Sequence, residues 1–350
     1  QQGVTTTSGV SYENEPIIKS DGASGEVMQW LASTGSSKVT IDEDSANKMS
    51  ISVPTMTVGS LDIGHGAGGV TNTAVGTDAL DSSHASATDN TAIGNNALTG
   101  THTAAAVKNT AVGSGAGAAI TTGSKNTFVG NSAGDATDNG DFNTAVGEGA
   151  LGADCVDNNT AVGRLALYSF TGSDAVAVGS HAADVAASQT NLTAIGRNAL
   201  GVATSGNHNT AVGTNSLQTV DGTQNVAVGS NALAADCVSY NTGVGYSALS
   251  AFTGSHATAV GNLAANVAVG NGTLTAVGSL ALGAATSGDG NTAVGFACLD
   301  ATIDGANNTA IGAYSLSADC VSDNVAVGKN ALLVFTGSNA TAVGRGAADA

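Results

Sequence analysis

Two glycine-rich motifs in this 350-residue chain carry residue types that perform catalysis or bind nucleotides in other proteins. Gly130–Gly134 matches Gly-x-Ser-x-Gly, the tight strand-to-helix turn that exposes a serine nucleophile. Gly64–Gly69 matches Gly-x-Gly-x-x-Gly, whose backbone N–H groups receive a pyrophosphate at the start of a helix. Neither motif precedes a helix-forming segment, and with 49 glycines in the chain such matches arise by chance. We therefore predict no enzymatic activity and no bound cofactor.

The histidines and aspartates also lack the spacing of a metal site. The aspartates do not follow the calcium-binding nonapeptide repeat, so we predict no metal centre, with weak binding of Ca²⁺ at turn carboxylates as the alternative. We expect the histidines in exposed turns, since no pair has a zinc-ligand spacing. They are His65, His84, His102, His181, His208 and His256.

A repeated pentapeptide, Asn-Thr-Ala-Val-Gly, organises most of the chain. Its motif glycines run from Gly76 to Gly344 at a nearly constant period of about 17 residues. Repeats at a fixed short period predict a solenoid, in which each unit is one coil stacked on its neighbours. The intact copies supply the predicted structural positions, which are Asn72, Val75, Gly76, Asn109, Val112, Gly113, Asn143, Val146, Gly147, Asn159, Val162, Gly163, Asn209, Val212, Gly213, Asn291, Val294 and Gly295.

Within one coil the motif predicts where each side chain points. In the strand Thr73–Val75, Thr and Val share one face and Ala takes the other, because successive side chains alternate. We expect Val and the Leu of the following Ala-Leu pair to point inward, and Asn to form a ladder with the neighbouring coils. Gly76 permits a bend, and Ala79-Leu80 is expected to begin a second short strand.

Composition limits the partners of this chain. The net charge is −18, with nine cations and no basic stripe, which excludes nucleic acid as a ligand class. No apolar run is long enough to cross a bilayer, so we predict no membrane insertion. Cys155, Cys237 and Cys320 recur in the phrase Ala-Asp-Cys-Val, five coils apart in each case and too distant to pair within one solenoid. We expect these and Cys298 to be buried reduced thiols, with contacts between neighbouring chains as the alternative.

The chain divides into a short module and a long repeat. Residues 1–58 are not repetitive and are predicted to form three or four strands of a β-rich attachment module. Residues 59–350 form the repeat, and a coarser repeat predicts super-repeats over 153–234, 235–317 and, in part, 318–350. The last coil stops after Gly344 without a capping segment, so we expect more protein, another chain or a following subunit beyond Ala350.

A coil this thin is expected to need copies of itself. Its small Ala face permits close approach, so we predict a parallel homotrimer that packs Ala faces around a threefold axis. Since the motif pairs a single Thr with Ala, the Thr-x-Thr array of an ice-binding solenoid is not expected. Four cations follow the motif glycine and are predicted to face opposite charges of neighbouring chains, with a glycan-binding row as the alternative; they are Arg164, Arg197, Lys329 and Arg345.

The pattern Asn-Thr-Ala-Val-Gly-x-x-Ala-Leu resembles the head repeats of trimeric autotransporter adhesins, which are trimers of left-handed parallel β-rolls. Arrays of Asn-Thr-Ala-Val-Gly also resemble those of bacteriophage tail fibres, as does the phrase Gly25–Trp30 with Thr40-Ile-Asp downstream. The resemblance implies an all-β, left-handed roll of about 17 coils of about 17 residues each.

For function, the resemblance implies the extracellular fibre shaft of a virion, which supports attachment to a host cell. The N-terminal module would bind a virion base protein, and a host surface glycan or protein would be the receptor. A bacterial extracellular adhesin or self-assembling surface filament is the alternative. The motif has Thr where the adhesins have Val, and we see neither a coiled-coil stalk nor a membrane anchor in the sequence.

Overall fold

The computed structural model divides the chain into two compact units, Gln1–Ile63 and Gly64–Ala350. The first unit contains the strands β1 (Met28–Leu31), β2 (Lys38–Glu43) and β3 (Met49–Ser52), and a two-residue strand, β4 (Ile63–Gly64), follows. Strands β1, β2 and β3 form one antiparallel sheet in that order. This sheet confirms the expectation of short strands in residues 1–58. Side chains are described from residue 71 to residue 348, without residues 82–85, 104, 187, 203–204, 270–271 and 285–287.

The second unit is a parallel β-solenoid, as predicted. Each coil supplies one short strand to a single all-parallel sheet of seventeen strands, and the described residues contain no helix. The strands are β5 (Thr73–Val75), β6 (Thr91–Ile93), β7 (Thr110–Val112), β8 (Thr127–Val129), β9 (Thr144–Val146), β10 (Thr160–Val162), β11 (Val176–Val178), β12 (Thr193–Ile195), β13 (Thr210–Val212), β14 (Val226–Val228), β15 (Thr242–Val244), β16 (Ala257–Val260), β17 (Leu274–Val277), β18 (Asn291–Val294), β19 (Thr309–Ile311), β20 (Val325–Val327) and β21 (Thr341–Val343).

Neighbouring coils are stacked in strict register. Ala161 pairs with Ala145 of the preceding strand and with Ala177 of the following strand, and the same in-register pairing runs from β5 to β21. Since paired strands lie about 4.8 Å apart, sixteen steps give a sheet about 77 Å long. The repeat therefore builds length in equal increments.

The direction of the strand side chains corrects the sequence prediction. Ala161 is fully buried, whereas Val162 is 37% exposed, and the other coils alternate in the same way. Thr and Val share a face, so an inward Val would also bury a Thr hydroxyl, which is costly without a hydrogen-bond partner. The predicted inward Val is therefore wrong. The motif valines that this correction concerns are Val75, Val112, Val146, Val162, Val212 and Val294.

The same burial removes the predicted packing of Ala faces between chains. The middle residue of the strands is Ala in all but two coils, and it is covered by its own chain, with an exposure of 0–6%. The two exceptions are Phe128, which is fully buried, and Gly243. The interior of each coil thus consists of the strand Ala and the Leu of the Ala-Leu pair, which does point inward as predicted.

The segment after the motif glycine is a turn rather than the second strand that we expected. Asn96 and Leu98 have φ values of 56° and 51°, in the left-handed region, and so they cannot continue a β-strand. Their N–H groups are nevertheless bonded between coils: Asn96 N donates to Thr77 O at 3.0 Å, and Leu98 N donates to Ala116 O at 3.0 Å. The turn is therefore a second hydrogen-bonded column along the solenoid.

The motif glycine is required on two grounds. Gly147 has a φ of 134°, and a Cβ at this position would lie 2.6 Å from the carbonyl oxygen of Gly163 in the next coil. Both the backbone conformation and the close approach exclude a side chain. The same two conditions hold at the motif glycines from Gly76 to Gly328.

The predicted Asn ladder is present, and it closes the coils that begin with Asn. Asn159 N donates to Asn143 Oδ1 at 2.9 Å, and Asn143 Nδ2 donates to Val156 O, at the end of the same coil, at 2.8 Å. Each amide thus joins two coils and also ties the start of its own coil to its end. Because these buried polar groups are hydrogen-bonded, the coil interior tolerates them.

The Asn column is interrupted at regular intervals. Along the super-repeats three Asn coils are followed by one coil with Ala and one with Leu at the same position, as in Asn126, Asn143, Asn159, Ala175 and Leu192. The later repeats follow the same order, namely Asn209, Asn225, Asn241, Ala257 and Leu274, then Asn291, Asn308, Asn324 and Ala340. The linker before the Ala coil carries Phe170 or Phe252, both fully buried, or Phe335, which packs against the core.

Candidate functional site: the Thr–Val face

The outward side chains of the seventeen strands form one continuous surface, which we call the Thr–Val face. Its first row is Thr, with Val in three coils; these are Thr73, Thr91, Thr110, Thr127, Thr144, Thr160, Val176, Thr193, Thr210, Val226, Thr242, Thr258, Thr275, Thr292, Thr309, Val325 and Thr341. Its second row is Val or Ile; these are Val75, Ile93, Val112, Val129, Val146, Val162, Val178, Ile195, Val212, Val228, Val244, Val260, Val277, Val294, Ile311, Val327 and Val343.

The Thr–Val face is uniform and uncharged. Its Val and Ile side chains are 36–42% exposed in eleven coils, and none of the strands β5–β21 contains a charged residue. Val343, on the last strand, is 71% exposed, because no described coil covers it. The face therefore presents two parallel rows of β-branched side chains at the spacing of the sheet. Sequence reasoning missed it, since it placed Val inside.

The four predicted edge cations differ in their surroundings. Arg164 Nε lies 3.7 Å from Glu148 Oε2, and Arg164 Nη1 lies 2.8 Å from His181 Nε2. His181 Nδ1 in turn lies 2.7 Å from Asp184 Oδ2. Arg164 thus has partners within its own chain. The sequence contained a signal for this cluster, because Glu148, Arg164 and His181 follow one another at a spacing of about one coil and therefore lie side by side in the stack.

The other three edge cations are exposed and form no ion pair with any described residue. They are Arg197, Lys329 and Arg345, each directly after a motif glycine. Their row runs along the carboxyl end of the strands. At the amino end of β20, Asp323 is exposed, and Asn307 Nδ2 donates to its Oδ1 at 3.3 Å. Lys329 and Asp323 therefore flank the Thr–Val face in the same coil.

The catalytic motifs receive no support as reactive sites. Ser132 lies in the turn of its coil with a φ of 51°, its N–H donates to Ser114 O at 2.9 Å, and a strand-to-helix elbow is absent from this part of the described chain. Asp135 accepts a hydrogen bond from Ser132, and burial raises the pKa of that carboxyl. The remaining glycine motif, Gly64–Gly69, lies outside the described residues except for Gly64 in β4.

One histidine contradicts the expectation of exposed turns. His102 is buried, with 2% exposure, and desolvation lowers its pKa to about 4. It is therefore neutral at pH 7 and belongs to the interior of its coil. His256 stacks on Tyr240 with the ring centroids 5.0 Å apart. His65 and His84 lie outside the described residues.

The four cysteines are buried free thiols, as predicted. Burial raises the pKa of Cys298 to about 12 and that of Cys237 to about 11, so neither is a thiolate at neutral pH. Thr137 Oγ1 lies 3.5 Å from Cys155 Sγ, and Thr302 Oγ1 lies 3.4 Å from Cys320 Sγ. These contacts give the sulfur atoms polar partners inside the coil.

Linker aspartates accept backbone hydrogen bonds from the preceding coil. Asp154 Oδ1 accepts the N–H of Asp138 at 2.9 Å, and Asp157 Oδ1 accepts the N–H of Asp141 at 2.8 Å. Asp236 Oδ1 likewise accepts the N–H of Asp221, beside an open surface depression of about 330 Å³. Where side chains are described, no group of three or more His, Cys, Asp or Glu residues is arranged to hold a metal ion.

Comparison of the chain with protein-family models, with curated proteins and with solved structures gives no match. The fold places the chain in the structural class of all-parallel β-solenoids. Among the described residues there is also no helix with the length and hydropathy that crossing a bilayer requires.

Proposed function

We propose that this chain is the structural shaft of a fibre and that it acts through its length and stiffness, without catalysis. The observation that carries the proposal is the unbroken register of seventeen strands. Bending such a stack strains the strand and turn hydrogen bonds of each coil, together with the Asn hydrogen bonds of the coils that begin with Asn. The shaft is therefore rigid over about 77 Å.

The super-repeat supports length as the relevant property. One block of five coils adds about 24 Å to the stack at about 4.8 Å per strand, and it leaves the register of the next block unchanged. Ala153 and Ala235, which begin two successive blocks, stand in the same phrase of the sequence. Duplication of whole blocks thus lengthens the rod without altering any coil.

We assign the shaft to an extracellular appendage of a virion. The support is the resemblance of the Asn-Thr-Ala-Val-Gly arrays and of Gly25–Trp30 to phage fibres. On this proposal the chain associates with copies of itself, the N-terminal module binds a base protein of the particle, and the fibre supports contact with a host surface glycan or protein. The acidity of the chain, −18 overall, suits a soluble exposed appendage.

The length proposal is tested by removing one block. Deletion of residues 153–234 joins two equivalent positions and should shorten the rod by about 24 Å, measured by negative-stain electron microscopy. Deletion of a half block, which breaks the register, serves as the control and should disrupt the stack. A particle of unchanged length after the block deletion contradicts the shaft.

The location is tested with gold-labelled antibodies against residues 71–348. Label on appendages of virus particles from the source culture supports the virion assignment. Label on filaments at a bacterial surface contradicts it and favours the adhesin or surface filament.

A further inference from the structure

We infer that four exposed asparagines, on the corner where the linker of a coil meets its strand, are acceptors for N-linked sugar. These acceptor asparagines are Asn158, Asn191, Asn307 and Asn339. The inference goes beyond the proposed shaft and does not depend on it, because it concerns a covalent modification of the surface and not the length of the stack.

Each acceptor asparagine begins the pattern Asn-x-Thr, in which x is not Pro. This pattern marks an N-glycosylation acceptor, and a transferase that uses it binds the Thr hydroxyl while the amide reacts. The pattern occurs five times in the chain, and its copy at Asn271–Thr273 begins outside the described residues. The described copies are Asn158–Thr160, Asn191–Thr193, Asn307–Thr309 and Asn339–Thr341.

The fold presents the amide and the hydroxyl of each pattern on the outside of the coil. All four acceptor asparagines are exposed and stand at the bend before a strand, with φ values of 55–63°. The residue at x points inward, since Asn159 and Asn308 are fully buried and Leu192 is 1% exposed. The Thr then lies in the first row of the Thr–Val face. A transferase that approaches this corner therefore meets both groups.

Folding confines the pattern to exposed asparagines. Twelve described asparagines are buried in the ladder column, and the second residue after each is the inward middle residue of a strand. That residue is Ala, Phe or Gly, so no buried asparagine of the described chain has Ser or Thr two positions later. The pattern thus occurs only where the side chain faces solvent, as a bulky sugar requires.

The acceptor amides are also held weakly. Asn158 Nδ2 donates to Asp174 Oδ1 at 3.3 Å, at the surface. The neighbouring Asn159 Nδ2 donates to Gly172 O at 3.1 Å, in the interior. Turning Asn158 outward exchanges one exposed hydrogen bond for water, whereas releasing Asn159 would leave buried polar groups unsatisfied. The side-chain bonds of the other three acceptor asparagines are exposed as well.

The four acceptor asparagines are not copies of one site. Each stands in a different coil of the five-coil block, so block duplication does not relate one to another. The positions equivalent to Asn158 in the later blocks, for example, are Tyr240 and Asp323. The pattern therefore occurs in four of the five kinds of coil, in each case at the exposed corner.

The modification is a group transfer from an activated sugar. The amide Nδ2 attacks C1 of the sugar, so that a bond between Nδ2 and C1 forms and the bond from C1 to the phosphate oxygen of the donor breaks. The diphosphate leaves with the bonding electron pair, and the amide proton passes to a base of the transferase. The donor is a nucleotide sugar or a lipid-linked sugar diphosphate, since both carry this leaving group.

Peptide mass spectrometry of the chain isolated from its source tests the inference directly. We expect the mass of attached sugar on the acceptor asparagines and none on the ladder residue Asn159. Unmodified amides at all four acceptor asparagines overturn the inference. Sugar to the same extent on Asn131 and Asn231, which lack the pattern, also overturns it.

Replacement of the third residue tests whether the pattern directs the modification. The fold accepts Val at this position, because Val176, Val226 and Val325 occupy the same row in other coils. The full-length variant, produced in the source organism, should lose the sugar from all four acceptor asparagines without a change in melting temperature. Sugar that persists contradicts the inference. The variant combines Thr160→Val, Thr193→Val, Thr309→Val and Thr341→Val.

A matched control changes the same row in coils that have no acceptor asparagine. It should keep the sugar on all four acceptor asparagines. Loss of the sugar from this control as well would show that the Thr row, and not the pattern, determines the modification, and would contradict the inference. The control combines Thr144→Val, Thr210→Val, Thr242→Val and Thr292→Val.

The donor is identified with the unmodified full chain and two fractions of a source extract. Transfer by the soluble fraction with added nucleotide sugar assigns a nucleotide-linked donor. Transfer by the membrane fraction assigns a lipid-linked donor. Transfer by neither fraction contradicts the inference.

Discussion

The inner column at the start of each strand is built in two ways within the same molecule. In the coils of Asn126, Asn143 and Asn159 it is a chain of amides, each bonded to the next coil and to its own linker. In the coils of Ala175 and Leu192 it is apolar, and the preceding linker adds the buried ring of Phe170. The comparison shows that the interior of the stack must be filled and that its polar groups must be hydrogen-bonded. Either amide or apolar side chains can meet these two conditions.

The difference lies in how a coil is closed. An Asn coil is fastened by amide hydrogen bonds between its start and its end, whereas an Ala or Leu coil begins with an apolar side chain that packs in the interior and makes no such bond. The last Asn of each run also donates to the linker that carries the buried Phe: Asn159 Nδ2 lies 3.1 Å from Gly172 O, and Asn241 Nδ2 lies 3.1 Å from Gly254 O. The two solutions are thus joined at a fixed position of every super-repeat.

The largest effect is expected at the buried ring of Phe170, which lies in the linker just before an apolar coil. Phe170→Ala should lower the free energy of unfolding by about 3–5 kcal/mol, because a fully buried ring leaves a cavity. Tyr168→Ala, which removes a side chain that is 48% exposed, is the control and should change stability by less than about 0.5 kcal/mol. Urea titration followed by circular dichroism measures both, and equal effects would contradict the assigned interior.

A smaller effect is expected in the amide column. Asn143→Ala leaves the buried N–H of Asn159 without its acceptor, whereas Val156 O keeps the bond from Asn159 Nδ2 at 3.2 Å, so the change should cost about 1–3 kcal/mol. The control is Asn131→Ala, since that exposed amide makes one bond, to Ser114 O at 3.3 Å. A loss confined to the control would show that the Asn column carries no stability.

At neutral pH the smallest effect is expected at His102, which is buried and uncharged there. The pKa of His102 is lowered from 6.5 to about 4, so the folded chain resists protonation more than the unfolded chain does. Stability should therefore fall as the pH drops from 6.5 towards 4, and this part of the loss is complete below that. His102→Gln should flatten the pH profile of the melting temperature in this interval. A profile identical to that of the wild type would place His102 in solvent.

Much of the solenoid could be predicted because its signals are local. The period of the motif glycines gives the coil, the β-branched residues give the strand, and the Asn of the motif gives the ladder. Each of these follows from a residue that has few alternatives at its position, as the φ of 134° at Gly147 illustrates.

The orientation of the strand could not be obtained in the same way. Alternation shows only that Thr160 and Val162 share a face, and hydrophobicity alone favours Val inside. The hydroxyl of Thr determines the orientation. Thr lies on the same face as Val, so an inward Val would also bury that hydroxyl. The left-handed backbone conformation of Leu165 and Leu167 could not be predicted from the sequence either, because Leu rarely adopts φ values near about 55°. Arg164 found partners in its own chain because stacking places residues one coil apart side by side.

The central claim is that the chain advances by one strand spacing with each coil. Val156, Val238 and Val321 are exposed, equivalent positions that lie five and ten coils apart. Spin labels on Val156→Cys with Val238→Cys, and on Val156→Cys with Val321→Cys, can be measured by double electron–electron resonance after dilution with unlabelled chain. Stacked coils predict distances of about 24 Å and about 48 Å, in the ratio of one to two. Broad distributions, or distances that do not double, would contradict the stack.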